Sequence, residues 1–163
     1  MIISNPECSS KVEGQFLEQP NAFDIYVDRV YSIGPEEFSL DSNDNKTYRS
    51  SVKMEPDSNG FWLLRPGSYE VISSCSVEVS SSECGYVKTR STLLRNGCVI
   101  QSGLYDSGFK GKVGCILIVT SGNFRLQKGS RIAQFILMTG VKAKKIYNGS
   151  YGQDSNFDLN RYI

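Results

Sequence analysis

Residues 113–138, VGCILIVTSGNFRLQKGSRIAQFILM, decide the fold class. Residues 113–119 are almost wholly apolar, rich in β-branched side chains and too few for a typical helix, so they read as a strand buried on both faces. Ser121-Gly122-Asn123 turns the chain into Phe124-Arg125-Leu126, and Lys128-Gly129-Ser130 turns it again into a second apolar run, 132–138. The same pattern extends upstream. Phe61-Trp62-Leu63-Leu64 leads into Arg65-Pro66-Gly67, Tyr69-Glu70-Val71-Ile72 follows, and Val77-Glu78-Val79 alternates as a half-buried strand does. No segment beyond the first 20 residues carries a helical period. Short strands at this spacing predict one all-β domain, a sandwich, barrel or jelly roll.

Two segments stand outside the pattern. Residues 41–50, DSNDNKTYRS, are polar and turn-rich and predict an exposed loop. From Gly140 onward the apolar alternation stops and Asn, Gly, Ser and Tyr take over. The chain therefore divides into a β domain, 1–139, and a flexible C-terminal tail, 140–163. Tyr147, Tyr151, Phe157 and Tyr162 are many aromatics for a frayed terminus, so a tail that orders over a ligand or a neighbouring subunit is the alternative.

Composition narrows the chemistry. The chain has 163 residues, 18 Lys and Arg against 17 Asp and Glu, five Cys and no His. One domain of this length buries a sufficient core without disulfides or a metal. A net charge of +1 provides no general field toward nucleic acid or an anionic membrane, so anion binding must be local and neither is an expected partner. Without histidine there is no Ser-His-Asp or Cys-His machinery, no H-E-x-x-H site and no His-ligated zinc. Proton transfer near neutral pH falls to a carboxylate, Lys, Tyr or Cys. The N-terminus lacks the cationic and apolar segments of a signal peptide, and no run is long enough to span a bilayer, which predicts a cytoplasmic protein (host cytoplasm for a viral one). Cys8, Cys75, Cys84, Cys98 and Cys115 read as reduced thiols, with a Cys75–Cys84 bridge across a hairpin as the alternative.

Three stretches place polar groups in unusual company. In Thr89-Arg90-Ser91-Thr92-Leu93-Leu94-Arg95, two Arg and several hydroxyls follow a strand, a composition suited to phosphate oxygens but also common on solvated surfaces. In Ser102-Gly103-Leu104-Tyr105-Asp106-Ser107-Gly108-Phe109-Lys110-Gly111, glycines flank one acid and two aromatics. The glycines allow close backbone approach to a ligand, an aromatic offers a face for a base or sugar, and Asp106 can polarise a water; a plain hairpin loop with an Asx turn is the alternative. In Lys128-Gly129-Ser130-Arg131-Ile132-Ala133-Gln134-Phe135, Gln134 either faces solvent or donates to something specific.

The order R-S-x-x-x-R, G-L-x-D-x-G-F-x-G, K-G-x-R-I-A-Q resembles the trimeric dUTPase and dCTP deaminase superfamily. The resemblance begins weakly at residues 19–26, strengthens at residues 61–67, is strongest from Arg90 to Phe135 and ends at Tyr147-Asn148-Gly149-Ser150-Tyr151-Gly152-Gln153. It implies a distorted jelly-roll-like β barrel, a homotrimer with sites between subunits, and a Mg2+-bound deoxynucleoside triphosphate. By position, Arg90, Ser91 and Gln134 would contact phosphates, and Thr92 and Arg95 align with the second Ser and the Arg of the deaminase-branch motif. Gly103 belongs to the base-binding loop, where Leu104 and Tyr105 would present backbone to the pyrimidine. Asp106 would hold the catalytic water or sugar hydroxyl, and Phe109 would stack beneath the deoxyribose. Tyr151 and Gln153 would contact substrate from the tail. Mg2+ would be held through phosphates and waters, with Asp24 either behind it or structural.

The resemblance divides between two chemistries. Deaminases of this fold use a Glu in the strand after G-F-x-G, and Ile116 stands there in this chain. The zinc deaminase alternative needs an H-x-E and C-x-x-C set that the chain lacks. Hydrolysis of a triphosphate needs only a base, an aligned water and charge neutralisation. The resemblance thus implies a dUTP diphosphatase. Hydrolysis of dCTP or another pyrimidine triphosphate, a deaminase-like homologue, and a silent nucleotide-sensing or partner-binding protein are the alternatives. Two departures bear on this: Ser150 replaces the tail Lys of the deaminase branch, and the glycine-rich arm of ordinary dUTPases is missing.

Overall fold

The computed structural model describes residues 2–3, 8–149 and 151–152, so Gln153 and the other tail aromatics Phe157 and Tyr162 lie outside the described residues. In chain order the elements are β1 (Ile2–Ile3), β2 (Lys11–Glu13), β3 (Phe16–Gln19), β4 (Ala22–Ile33), β5 (Ser51–Met54), β6 (Phe61–Leu64), β7 (Gly67–Glu78), β8 (Glu83–Thr89), α1 (Ser91–Arg95), β9 (Cys98–Gln101), β10 (Lys110–Val119), β11 (Phe124–Gln127) and β12 (Arg131–Thr139). Hydrogen-bonded neighbours run β12-β8-β9-β10-β7-β4, and β4 pairs again with β12, which closes a six-stranded antiparallel barrel. Closure removes the exposed edges that an open sheet would leave. β3 and β5 extend β4, β2 extends β7, and β6 with β11 forms a separate ribbon.

Period-2 patterning fills the barrel. β10 sends Val113, Cys115, Leu117 and Val119 inward, and β7 sends Val71, Ser73, Cys75 and Val77 to meet them. In β4 a register shift between Val27 and Arg29 moves the inward set from Ile25 and Val27 to Val30. A bulge of this kind bends the strand and lets one long segment serve two partners. The ribbon adds Trp62, Leu64 and Leu126 to the same core, and the Trp62 indole N–H donates to the Met54 carbonyl at 2.8 Å. Each of the fully buried Leu and Ile side chains contributes roughly 1.5–3 kcal/mol. Gly85 is required by this packing: a Cβ there would sit 2.6 Å from Cζ of Phe135 on the facing strand.

Two sequence expectations change. Residues 113–119 are buried on one face only; Ile116 is half-buried and Ile118 is 37% exposed on the outer face. The β-branched side chains at those outward positions hid the alternation. A short helix, α1, follows β8 although five residues are too few to show a helical period. The cysteines are reduced as expected, with no Cys75–Cys84 bridge, and burial pushes the Cys115 thiol up to about 12. Residues 41–50 form the expected exposed turn, in which Asp41 Oδ1 accepts the amides of Asn43 and Asn45 at 2.8 and 2.9 Å. Among the described residues, no helix is long and apolar enough to cross a membrane.

Candidate active site

The loop between β9 and β10 carries Asp106 and is fixed from several sides. Tyr105 pairs its amide and carbonyl with Gly85 at 2.7 and 2.9 Å, an isolated bridge to β8. Its hydroxyl accepts the Gly114 amide at 2.9 Å and donates to the Gly114 carbonyl. Both Gly114 groups lie beside the register shift in β10, where the hydroxyl takes the place of a missing ladder partner. The Tyr105 ring packs edge-on to Phe109 at 4.9 Å and to Phe135 at 5.3 Å. Gly108, at φ +85°, closes the turn, and the Phe109 amide donates to the Asp106 carbonyl at 2.9 Å. The Tyr105 amide and carbonyl are both paired with Gly85. Leu104 beside it is 55% exposed. Asp106 is exposed, and no described residue donates to its carboxylate.

The start of the tail closes over this loop. The Tyr147 amide donates to the Ser107 carbonyl at 2.8 Å, its ring meets Phe109 at 5.5 Å, and Ile146 covers Gly108. The Tyr151 amide donates to the Tyr147 hydroxyl at 3.0 Å. Between loop, tail and the outer face of β7 and β10 lies a cavity of about 690 Å³. Gly103, Leu104, Tyr105, Phe109 and Tyr151, all singled out in the sequence, line it. Ile116, the residue at the deaminase Glu position, also lines it. Tyr147 of the tail also lines it, as do Glu70 and Gln101, which had no sequence-based assignment. Glu70 had one signal, a carboxylate set directly before the apolar pair Val71-Ile72.

A second polar group forms at the other end of β8. Asp24 is 2% exposed and stands opposite Gln134 in the β4–β12 register. Its oxygens take Arg131 Nη1 at 3.2 Å, Gln134 Nε2 at 3.1 Å, Gln19 Nε2 at 3.4 Å and, as an ion pair, Arg90 Nε at 3.6 Å. Arg90 Nη1 also donates to the Arg131 carbonyl at 2.8 Å. A carboxylate between two guanidinium groups offsets their mutual repulsion and fixes their direction. Arg131 was not singled out from sequence, since only strand register brings it to Asp24. Ser91, Thr92 and Arg95 are exposed on α1, and Arg95 is not among the partners of Asp24.

The two groups attach to different ends of β8. Tyr105 bridges to Gly85 near the start of β8, whereas Arg90 follows the strand's last residue, five positions on and about 17 Å along the chain at the usual strand rise. Neither Asp106 nor any member of the Arg90 group lines the cavity.

The closed six-stranded antiparallel barrel matches the all-β fold of the dUTPase type. A family model described as dCTP deaminase-like matches residues 11–140, and the chain belongs to that family. A probable deoxyuridine 5'-triphosphate nucleotidohydrolase of Halobacterium salinarum is 32% identical over 138 residues, covering 82% of this chain and 81% of the relative. One of Methanosarcina barkeri is 27% identical, covering 84% and 81%. Among solved structures, EIAV dUTPase superposes with a TM-score of 0.54 at 16% identity, covering 87% of this chain and 98% of its own. The 2'-deoxycytidine 5'-triphosphate deaminase of Agrobacterium tumefaciens superposes at 0.60 with 13% identity, covering 80% of this chain and 44% of its own. At these identities the structural likeness speaks for the fold.

Proposed function

We propose that the protein hydrolyses dUTP to dUMP and pyrophosphate, at a site assembled where copies of the chain meet in a homotrimer. The observation that carries this reading is an exposed Asp106 on a loop bridged to the start of β8 together with a pre-ordered Arg90–Arg131–Gln134 group beyond the other end of that strand. The names of the archaeal relatives point to the same reaction.

In this reading the sugar rests on Phe109 and the base enters the cavity beyond it. Asp106 accepts a proton from a water as the water oxygen bonds to the α-phosphorus. The bond from that phosphorus to the bridging oxygen breaks, and pyrophosphate leaves. Arg90, Ser91 and Gln134 of a neighbouring copy hold the phosphate oxygens, with Thr92 and Arg95 beside them on α1. Asp24 is enclosed by Arg90, Arg131, Gln134 and Gln19 and acts on their geometry, which fits an ion held by phosphates and waters. Mg2+ so bound supplies neutralisation of the phosphate charge. The tail from residue 140 acts as a lid, with Tyr147 and Tyr151 already against the cavity and Gln153 as its further contact.

The test is incubation with Mg2+ and each deoxynucleoside triphosphate in turn, measuring pyrophosphate and ammonia. Pyrophosphate from dUTP is the expected result. Ammonia from dCTP overturns the reading of Ile116, and silence on every substrate favours a binding protein.

A further inference from the structure

Residues 79–85, the turn between β7 and β8 with the first residues of β8, seat both the Asp106 loop and the tail. The Val79 amide donates to the Phe109 carbonyl at 2.8 Å, and the Gly108 amide donates to the Val79 carbonyl at 2.9 Å. The Ser107 hydroxyl donates to the Glu83 carbonyl at 2.7 Å. From the tail, the Gly140 amide donates to the Ser82 carbonyl at 3.0 Å and the Ala143 amide to the Ser81 carbonyl at 2.9 Å. Each of these bonds ends on backbone of the turn, so the place of the loop follows the place of the turn.

What fixes the turn is a buried carboxylate that the proposed chemistry does not use. Glu83 is 4% exposed. Its Oε1 accepts the Ser9 amide at 2.6 Å, and its Oε2 accepts the Ser10 amide at 2.8 Å and the Ser10 hydroxyl. The Ser10 hydroxyl oxygen in turn accepts the Ser80 amide at 2.9 Å, and the Glu83 amide donates to the Ser80 carbonyl at 3.3 Å. The carboxylate thus ties an N-terminal strap, residues 8–10, across the turn from Ser80 to Glu83. Hydrogen bonds to a carboxylate are roughly twice as strong as neutral ones, which makes the junction stiff.

We propose that Glu83 is a positioning residue for the hydrolysis: its carboxylate clamps the N-terminal strap to the turn, and its carbonyl, through Ser107, sets where the adjacent Asp106 carboxylate lies. Asp106 is exposed, and no described residue donates to its carboxylate. Its direction therefore depends on the backbone of its own loop, which the turn holds at Ser107, Gly108 and Phe109. A base must lie within hydrogen-bond reach of the proton it takes, and a misplacement of about 1 Å can cost about a hundredfold in rate. Substrate affinity has another source, since none of residues 79–85 lines the cavity. The inference rests on Asp106 being the base of the proposed function.

The experiment measures kcat and KM for dUTP in variants along this line of contacts. Glu83→Gln turns one acceptor oxygen into a donor that faces the Ser9 or Ser10 amide, and Ser107→Ala removes the hydroxyl that meets the Glu83 carbonyl. Each should lower kcat about tenfold with KM changed less than twofold, the pattern of a contact that matters only in the transition state. Ser107→Thr keeps the hydroxyl and should stay within twofold of the unmodified protein. The two losses should not multiply in the double variant, because both act on one link. If Glu83→Gln does not fold, Ser10→Ala, which removes one of the three donors, takes its place with the same expected split. Unchanged kcat in Ser107→Ala overturns the inference while leaving dUTP hydrolysis standing, as do losses that multiply or a Ser107→Thr as slow as Ser107→Ala. Absence of dUTP turnover in the unmodified protein removes the functional reading and the inference with it.

Discussion

Two aspartates show how one residue type is turned to different work. Asp24 is enclosed by cationic and amide donors and orders them, whereas Asp106 is exposed on a loop held by Tyr105 and Phe109. Asp106→Asn keeps the shape and removes the base, so turnover should fall by at least a hundredfold while nucleotide affinity changes little. Near-normal turnover in a single-turnover assay would take Asp106 out of the reaction. Motif order made Asp106, Arg90 and Gln134 legible in the sequence, because each sits in a short run of glycines or β-branched neighbours with few other uses. Arg131 and Glu70 were not legible as site residues. Their significance comes from partners 107 and 46 residues away, and register alone decides which side chains face each other.

At the scale of elements, turn chemistry was the readable part. Ser121-Gly122-Asn123 and Lys128-Gly129-Ser130 mark the ends of β10, β11 and β12, and Arg65-Pro66-Gly67 marks the junction of β6 and β7. Bulges were not readable, since a shift such as that between Lys112 and Gly114 follows from what Tyr105 and the partner strands require. The Asp41 turn offers a direct electrostatic test. The side chain of Asn45, then the amides of Asn45 and Asn43, hold the Asp41 carboxyl below its ordinary value. A depressed folded value means the turn is stabilised above the unfolded value and loses that help as pH falls through the folded one. Amide exchange at Asn43 and Asn45 should therefore accelerate beyond its intrinsic rate below roughly pH 4, while β10 amides stay protected. Unchanged protection of the two turn amides across that window would show the carboxylate is not what holds the turn.

For the whole molecule, the proposed homotrimer turns the arrangement along β8 into a test. If Asp106 of one copy works with the Arg90 group of another, Asp106→Asn and Arg90→Ala homo-oligomers should each be nearly inactive. Unfolding and refolding the two together should restore activity, because mixed assemblies contain junctions with both residues intact. Mixing without recovery would place both groups in one chain's site. The closed barrel was legible as an all-β class from strand spacing, but closure depends on β4 meeting β12, a contact across more than a hundred residues that no local pattern announces. The separation of the two groups has a thermodynamic consequence. A triphosphate that bridges copies binds the assembled form and not the isolated chain, so ligand concentration and subunit association are linked. At a hundred times its Kd, one bound ligand adds about 2.7 kcal/mol to the assembled state per site. Substrate supply would then help determine how much of the protein exists in its working form.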